Sequence, residues 1–403
     1  MNYDLYWVWL SLGLGAGANC RNLITEFGWN PYLIYGTSNN EILSYNVLTR
    51  KQVEKLKSFP IEKAEKILSV SMENGWKIIT PTSEHYPERL LELNDFPIVL
   101  YVKGDETILN SPLSISVVGA RKASEYGRAM ARAISSALSV KGFTIVSGGA
   151  LGVDSCAHLG ALDENGKTIC VLGCGLGANY LMENEKLRED VSKNGAIITE
   201  FPPFTKPSRE SFPLRNRIIS GLSLGTVVVE AGEKSGSLIT ARLSLEQGRD
   251  VFAVPGDLVT SSYVGTNKLI QDGAIMVLSI NDILEEYYNK YYDILNNDIE
   301  LSDDELIKRA QNYLRGNIAN VEQKQAKNET LKPKPAPITK KPAPSYLTEN
   351  AKKVYEIVSG EPVHVDDIIN NSKLSVGEAL SALTELEIYG LVTQISGRRY
   401  KIG

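Results

Sequence analysis

Four cations (Lys206, Arg209, Arg215 and Arg217) and three aromatic rings (Phe201, Phe204 and Phe212) fall between Phe201 and Arg217. Cations neutralise phosphates and aromatic rings stack on exposed bases, which is the chemistry that single-stranded nucleic acid needs. The prolines interspersed among them predict a surface loop that holds these groups out of any core. The chain as a whole carries a net charge of -5, so no global basic field attracts a polyanion. Binding must then come from a local cluster and be sensitive to salt.

Three further segments have anion-holding character. Val117-Val-Gly-Ala-Arg121 delivers Arg121 from an apolar run through a small-residue turn. Ser147-Gly-Gly-Ala-Leu-Gly-Val-Asp154 has glycines whose amides can approach an anion. In Glu230-Ala-Gly-Glu-Lys-Ser-Gly-Ser237, Ser235, Gly236 and Ser237 precede an amphipathic stretch and can bond a phosphate. Each alone is compatible with turn and cap chemistry. Three on one sheet edge point to a shared anion site.

Gly173-Cys-Gly-Leu-Gly-Ala178 fits the dinucleotide fingerprint, with Glu200 ending the next strand as a ribose-binding acid would. It follows the third strand rather than the first and opens no apolar helix, so a structural turn is the preferred reading. Cys156, His158, Cys170 and Cys174 can be drawn as a zinc set, but their spacing lacks the tight pairs of structural sites. Buried cysteines acting as small hydrophobes account for them better. His85, His158 and His364 stand in unrelated contexts; Asp154 and Glu230 end strands and could serve as acid or base, but Asp154 is better read as starting the helix over Ser155–Leu162. No catalytic residue, cofactor or metal ligand is assigned.

These groups need a scaffold. With 403 residues, 43% hydrophobic and 23% charged, the chain has the size and composition of two or three soluble domains. Residues 1–75 read as short helices around Gly13, Gly15 and Gly17, resembling a helix-hairpin-helix or SAM-like unit whose glycine amides touch a DNA backbone or simply pack. Over 76–295 apolar strands alternate with amphipathic helices. The strands fall at Ser114–Val118, Thr144–Ser147, Thr168–Leu172, Ala196–Glu200, Thr226–Glu230, Asp250–Val254 and Ala274–Val277. That alternation implies an α/β, Rossmann-like parallel sheet covered on both faces. Residues 296–345 are expected as a linker, with a Pro/Lys run over 331–344, and 346–403 as a winged-helix domain. The winged helix's would-be recognition helix, Ser375–Tyr389, carries three glutamates and no cation, whereas groove reading needs Arg, Lys, Asn or Gln. Its wing holds Arg398, Arg399 and Lys401, which suits backbone contact or a protein partner. The N-terminal segment has no signal pattern and no apolar run reaches membrane-span length, so a cytoplasmic, membrane-free protein is expected.

In order along the chain, these motifs resemble those of the DNA-processing protein A family (DprA, also called Smf). The run starts at Tyr86-Pro-Glu-Arg-Leu90 and Phe96-Pro-Ile-Val-Leu-Tyr-Val-Lys-Gly104. It passes through Val118-Gly-Ala-Arg121, Ser147–Asp154 with His158, and Phe212-Pro-x-Arg-Asn-Arg-Ile-Ile-Ser-Gly221. It closes with Ser235-Gly-Ser-Leu-Ile-Thr-Ala241, Val254-Pro-Gly256 and Gly265-Thr-Asn267. Two departures are Ala120, where the family often has Ser, and Leu181, where Pro often follows the tyrosine. The first removes a possible phosphate hydroxyl and the second puts a local turn in doubt.

The resemblance implies a non-enzymatic, homodimeric recombination mediator of natural transformation. Such proteins bind and protect incoming single-stranded DNA and load the RecA recombinase onto it. The implied pocket falls on Arg121, Arg209, Phe212, Asn216 and Arg217, with Ser235–Ser237 nearby; Lys206 joins them on charge alone. The alternative from the enzyme class is a nucleotide-binding Rossmann-like hydrolase or sensor, and a transcription regulator built on the winged helix is disfavoured by its glutamates.

Overall fold

The computed structural model describes residues 3–296, 301–316, 342–395 and 398–402. The chain divides into two compact units, one within 1–320 and one within 321–403.

The first unit is built on a nine-stranded sheet. Its strands are β1 (Lys77–Ile79), β2 (Leu100–Gly104), β3 (Ser114–Val118), β4 (Thr144–Ser147), β5 (Thr168–Val171), β6 (Ala196–Thr199), β7 (Gly225–Val228), β8 (Asp250–Ala253) and β9 (Ile275–Met276). The spatial order is β1-β2-β6-β5-β4-β3-β7-β8-β9. From β6 to β9 every pair is parallel, and β2 and β1 extend the β6 edge antiparallel. Strands β3 to β7 are buried at every position, as near-continuous apolar strands covered on both faces must be. The Rossmann-like α/β architecture is the expected one. The antiparallel edge strands, short and flanked by turns, escape periodicity arguments.

Six helices, α1 (Tyr3–Leu14), α2 (Arg21–Glu26), α3 (Pro31–Gly36), α4 (Asn39–Ser44), α5 (Arg50–Lys57) and α6 (Ile61–Glu73), precede the sheet. The Gly17 amide donates to Glu200 Oε1 at 3.1 Å, so this part of the glycine turn packs on the sheet.

The crossover helices are α7 (Glu125–Val140), α8 (Val153–Asp163), α9 (Glu185–Asn194), α10 (Ser211–Gly221), α11 (Ser237–Glu246) and α12 (Val264–Gln271). Ser124 starts α7 by accepting from the Gly127 amide. The segment Phe212–Arg217 is a correction: it lies in α10 and not in a loop. Pro213 sits in the first turn, where a missing N–H costs nothing, so it does not break the helix.

Helices α13 (Asn281–Tyr288) and α14 (Tyr292–Leu295) follow β9. Residues 305–316, within the stretch expected as a linker, form helix α15 and bury Leu306 and Ala310, while Arg309 pairs with Glu164 at 2.6 Å. The Pro/Lys run lies outside the described residues up to 341.

The second unit is a winged helix: α16 (Glu349–Ile357), α17 (Val365–Ser372) and α18 (Val376–Ile388) with strands β10 (Val363–His364), β11 (Val392–Ile395) and β12 (Arg399–Ile402) in the order β10-β12-β11. Two of the glutamates on its third helix have local tasks. Glu378 closes a capping box with Ser375, and Glu385 accepts from Thr348 N at 2.9 Å and Thr348 Oγ1 at 2.6 Å. The expected wing turn at Ser396-Gly397 lies outside the described residues.

Candidate nucleic-acid interface

Strand order reverses between β3 and β7. The chain leaves β3 toward β4 on one side and returns to pair β7 on the other, so the carboxyl ends of these two strands flank a topological switch point. Open α/β sheets bind ligands in the crevice at that place. A cleft of about 470 Å³ opens there, walled by Gly119–Arg121 after β3, by Gly232–Ser237 after β7, and by Phe212, Arg215 and Asn216 of α10.

Helical spacing explains which α10 side chains reach it. Phe212, Arg215, Asn216 and Ile219 stand at i, i+3, i+4 and i+7 and share one face. The Arg121 side chain is exposed and its guanidinium carbon lies 5.0 Å from the Phe212 ring centroid. Phe212 is half-buried, with Tyr180 on its flank at 5.4 Å and 40°. Cation and ring face are thus presented together, one for a phosphate and one for a base.

Beneath them Arg215 is 5% exposed and donates from Nη1 to the carbonyls of Gly148, at 2.8 Å, and Val171. Its Nε has no hydrogen-bond partner. A side chain on residue 148 would place Cβ 2.4 Å from Arg215 Nη1, so this position must be glycine for the guanidinium to lie there. Burial lowers the Arg215 pKa from its ordinary value and the nearby Asp154 opposes that; burial in turn pushes the Asp154 carboxyl up while Arg215 pulls it down. An arginine stays charged under such conditions, so a fixed cation underlies the cleft.

The third wall is the start of α11. Its N-cap is Gly236, with no side-chain cap, and Ser235 Oγ and Ser237 Oγ lie 2.8 Å apart. The Ser237, Leu238 and Ile239 amides already meet Ser235 Oγ, Ser235 O and Gly236 O, so this helix start favours an anion through its dipole and the two hydroxyls. Asn216 Nδ2 lies 3.5 Å from Gly236 O, joining α10 to this wall. Lys234 and Glu233, both exposed, complete the rim.

The structure therefore brings together Arg121, Phe212, Asn216, Ser235, Gly236 and Ser237. Lys206 and Arg209 are exposed on the segment leading into α10 and do not line the cleft. Arg217 is a correction. Five residues along the helix from Phe212, it faces the opposite side, 3% exposed, and pairs with Glu200 at 2.5 Å and Asp95 at 3.3 Å. Arg215 and Lys234 were missed as site residues. The helical pattern of Phe212, Arg215 and Asn216 would have revealed Arg215, had the prolines not argued for a loop.

Other chemically suggestive groups have structural partners. Glu230 accepts from Ser124 N, Ser124 Oγ and Tyr263 Oη and thereby fixes the start of α7. Asp154 Oδ2 accepts from Ala150 N at 3.4 Å at the start of α8. The fingerprint-like Gly173–Ala178 is a turn: Gly175 N donates to Thr205 O and Phe204 N to Leu176 O, both at 2.9 Å, and no long helix begins there. Cys170 is buried with its thiol pushed up to about 12, and no cluster of metal-ligating side chains occurs among the described residues. No helix among the described residues is long and apolar enough to cross a membrane.

Known proteins resemble this chain over most of its length. The family model for DNA recombination-mediator protein A matches residues 77–288, and that for the DprA winged helix domain matches 337–398. The DNA processing protein DprA of Bacillus subtilis is 43% identical over 224 residues, 56% of this chain and 75% of the relative. Protein Smf of Synechocystis is 37% identical over 331 residues, 81% of this chain and 80% of the relative. The X-ray structure of DNA processing protein A from Streptococcus pneumoniae superposes with a TM-score of 0.61 at 32% identity, covering 71% of this chain and 98% of that one.

Proposed function

The chain belongs to the DNA recombination-mediator protein A family, and from that premise we propose that the switch-point cleft holds single-stranded DNA. The observation that carries this reading is the Arg121 guanidinium set over the Phe212 ring beside the start of α11. Phosphates lie against Arg121 and the Ser235–Ser237 turn, and a base stacks on Phe212. Asn216 offers a base-edge or backbone hydrogen bond, Arg215 supplies a buried positive potential, and Lys206 and Arg209 draw the strand toward the cleft. Arg217 contributes by positioning α10.

On this reading the protein is a non-enzymatic mediator of natural transformation: a cytoplasmic homodimer that protects incoming single strands and loads RecA recombinase onto them. It needs no cofactor. Mobility-shift titrations with single- and double-stranded oligonucleotides across a salt series test it. Preference for single strands, weakening steeply with salt, is the expected result; equal or absent binding overturns it.

The cleft volume, about 470 Å³, also falls in the ordinary range of small-ligand pockets, which favours a second reading as a nucleotide-binding hydrolase or sensor. Calorimetry separates the two. A mononucleotide that binds as tightly as a single-stranded oligomer supports the second.

A further inference from the structure

Phe204 is held in a conformation that its residue type disfavours. Its φ is +61°, in the left-handed region that glycine enters freely and a bulky residue enters only with strain. Two backbone bonds at 2.9 Å, Phe204 N to Leu176 O and Gly175 N to Thr205 O, clamp it there. No deep burial compensates, because the side chain is 54% exposed. The ring lies against the half-buried Trp76, with centroids 5.7 Å apart at 57°. It also covers Gly177, where any Cβ would come within 2.5 Å of Phe204 Cε1. A strained, exposed aromatic clamped by its surroundings is where function is expected to reside.

Its place relative to the cleft gives the function. The turn over Gly173–Gly177 carries both rings, since a Cβ at Gly173 would lie 2.8 Å from Phe212 Cδ1. Four residues span at most roughly 14 Å, so one single strand a few nucleotides long can reach both rings. Lys206, two residues beyond Phe204, and Arg209 are exposed and outside every ion pair among the described residues, so they can take the intervening phosphates. A small cavity of about 200 Å³ adjoins Trp76, and its charged lining is Lys103, Glu185, Arg188 and Glu189. Its two carboxylates can accept from the exocyclic amine of a base, and its two cations can meet the adjoining phosphate.

We propose that Trp76 and Phe204 form a second stacking station, which takes another base of the strand whose first base lies on Phe212. This rests on the cleft being a single-strand site.

The test is a length series of single-stranded oligonucleotides bound by the full chain and by Phe204→Gly, with melting temperatures of both. The wild type should gain affinity when the oligomer becomes long enough to reach both stations. Phe204→Gly should lose about fivefold or more of the affinity for long oligomers. That loss should fall toward none for oligomers too short to span the two rings, with the melting temperature kept or raised by relief of the backbone. Trp76→Leu should repeat the length dependence and guards against a folding defect in the first variant. An equal loss at every length, or no loss at any, overturns the second station while leaving the cleft reading intact. A wild type that binds no single strand of any length overturns both.

Discussion

Arg217 Nη2 lies 2.5 Å from Glu200 Oε2, with side-chain exposures of 4% and 3%. Glu200 also accepts the Gly17 amide, so one carboxylate joins α10, the end of β6 and the N-terminal helices. Burial pushes the Glu200 carboxyl up and Arg217 draws it back, which is the balance of a paired buried charge. Removing one partner leaves the other buried and unpaired, a change that costs about 3–5 kcal/mol. Arg217→Met should therefore lower stability by that order in denaturant titrations. Its folded fraction should bind single strands with nearly wild-type affinity, and a selective loss of binding at unchanged stability would put Arg217 on the DNA.

Arg121 and Phe212 should fail differently. Arg121→Ala removes one phosphate contact, so binding weakens and the slope of log affinity against log salt should fall by about 0.7 for a single strand. Phe212→Ala removes a stacking face, at a cost of about 1–3 kcal/mol, and should leave that slope unchanged. Both side chains stand at the cleft edge, so neither variant should melt much lower than wild type. Salt-series binding isotherms decide between these signatures.

Gly148→Ala tests the buried cation. The new Cβ meets Arg215 Nη1 at 2.4 Å, so the guanidinium must leave the carbonyls of Gly148 and Val171. Overpacking of this kind costs about 1–3 kcal/mol. The same variant should bind single strands less tightly at low salt, because a displaced Arg215 no longer supports the cleft. Unfolding curves and low-salt affinity, measured on one preparation, should shift together.

The sequence carried the parallel strands almost to the residue, because buried apolar runs between amphipathic stretches have few other solutions. It also carried the residue types of the cleft. What it hid was direction. Pro213 made Phe212–Arg217 look like a loop, and in a loop Arg215 and Arg217 are equivalent cations. In α10 they differ by two helical positions, enough to send one under the cleft and the other to Glu200. The switch point was hidden for another reason: which strands pair across the sheet depends on crossovers between β3 and β7, far apart in the chain. Phe204's left-handed backbone has no signature in residue type at all, since glycine is what that geometry favours.

His158 should make the fold acid-sensitive. It is fully buried in α8, with Nδ1 2.7 Å from Thr168 Oγ1. Thr168 Oγ1 donates to Ile145 O at 2.8 Å, so it must accept from His158, which places the proton on Nδ1. Nε2 is then a bare lone pair with no partner, and protonating it would create a buried charge with nothing to receive the new N–H. Burial, followed by the nearby Arg215, lowers the folded pKa to about 3. An unfolded histidine titrates near about 6.5, so between these values the unfolded chain binds the extra proton and stability falls as pH drops. Between about pH 7 and pH 5 the loss is about 2 kcal/mol. Asp154 and Glu200, raised by burial, work the other way, because the folded state takes up their protons first. The measurement is accordingly a difference: denaturant unfolding from pH 7 to pH 5 for wild type and His158→Gln. The variant starts less stable, since it loses the Thr168 contact, but its profile should be flatter by about 2 kcal/mol. Parallel profiles would mean that His158 takes up its proton without unfolding.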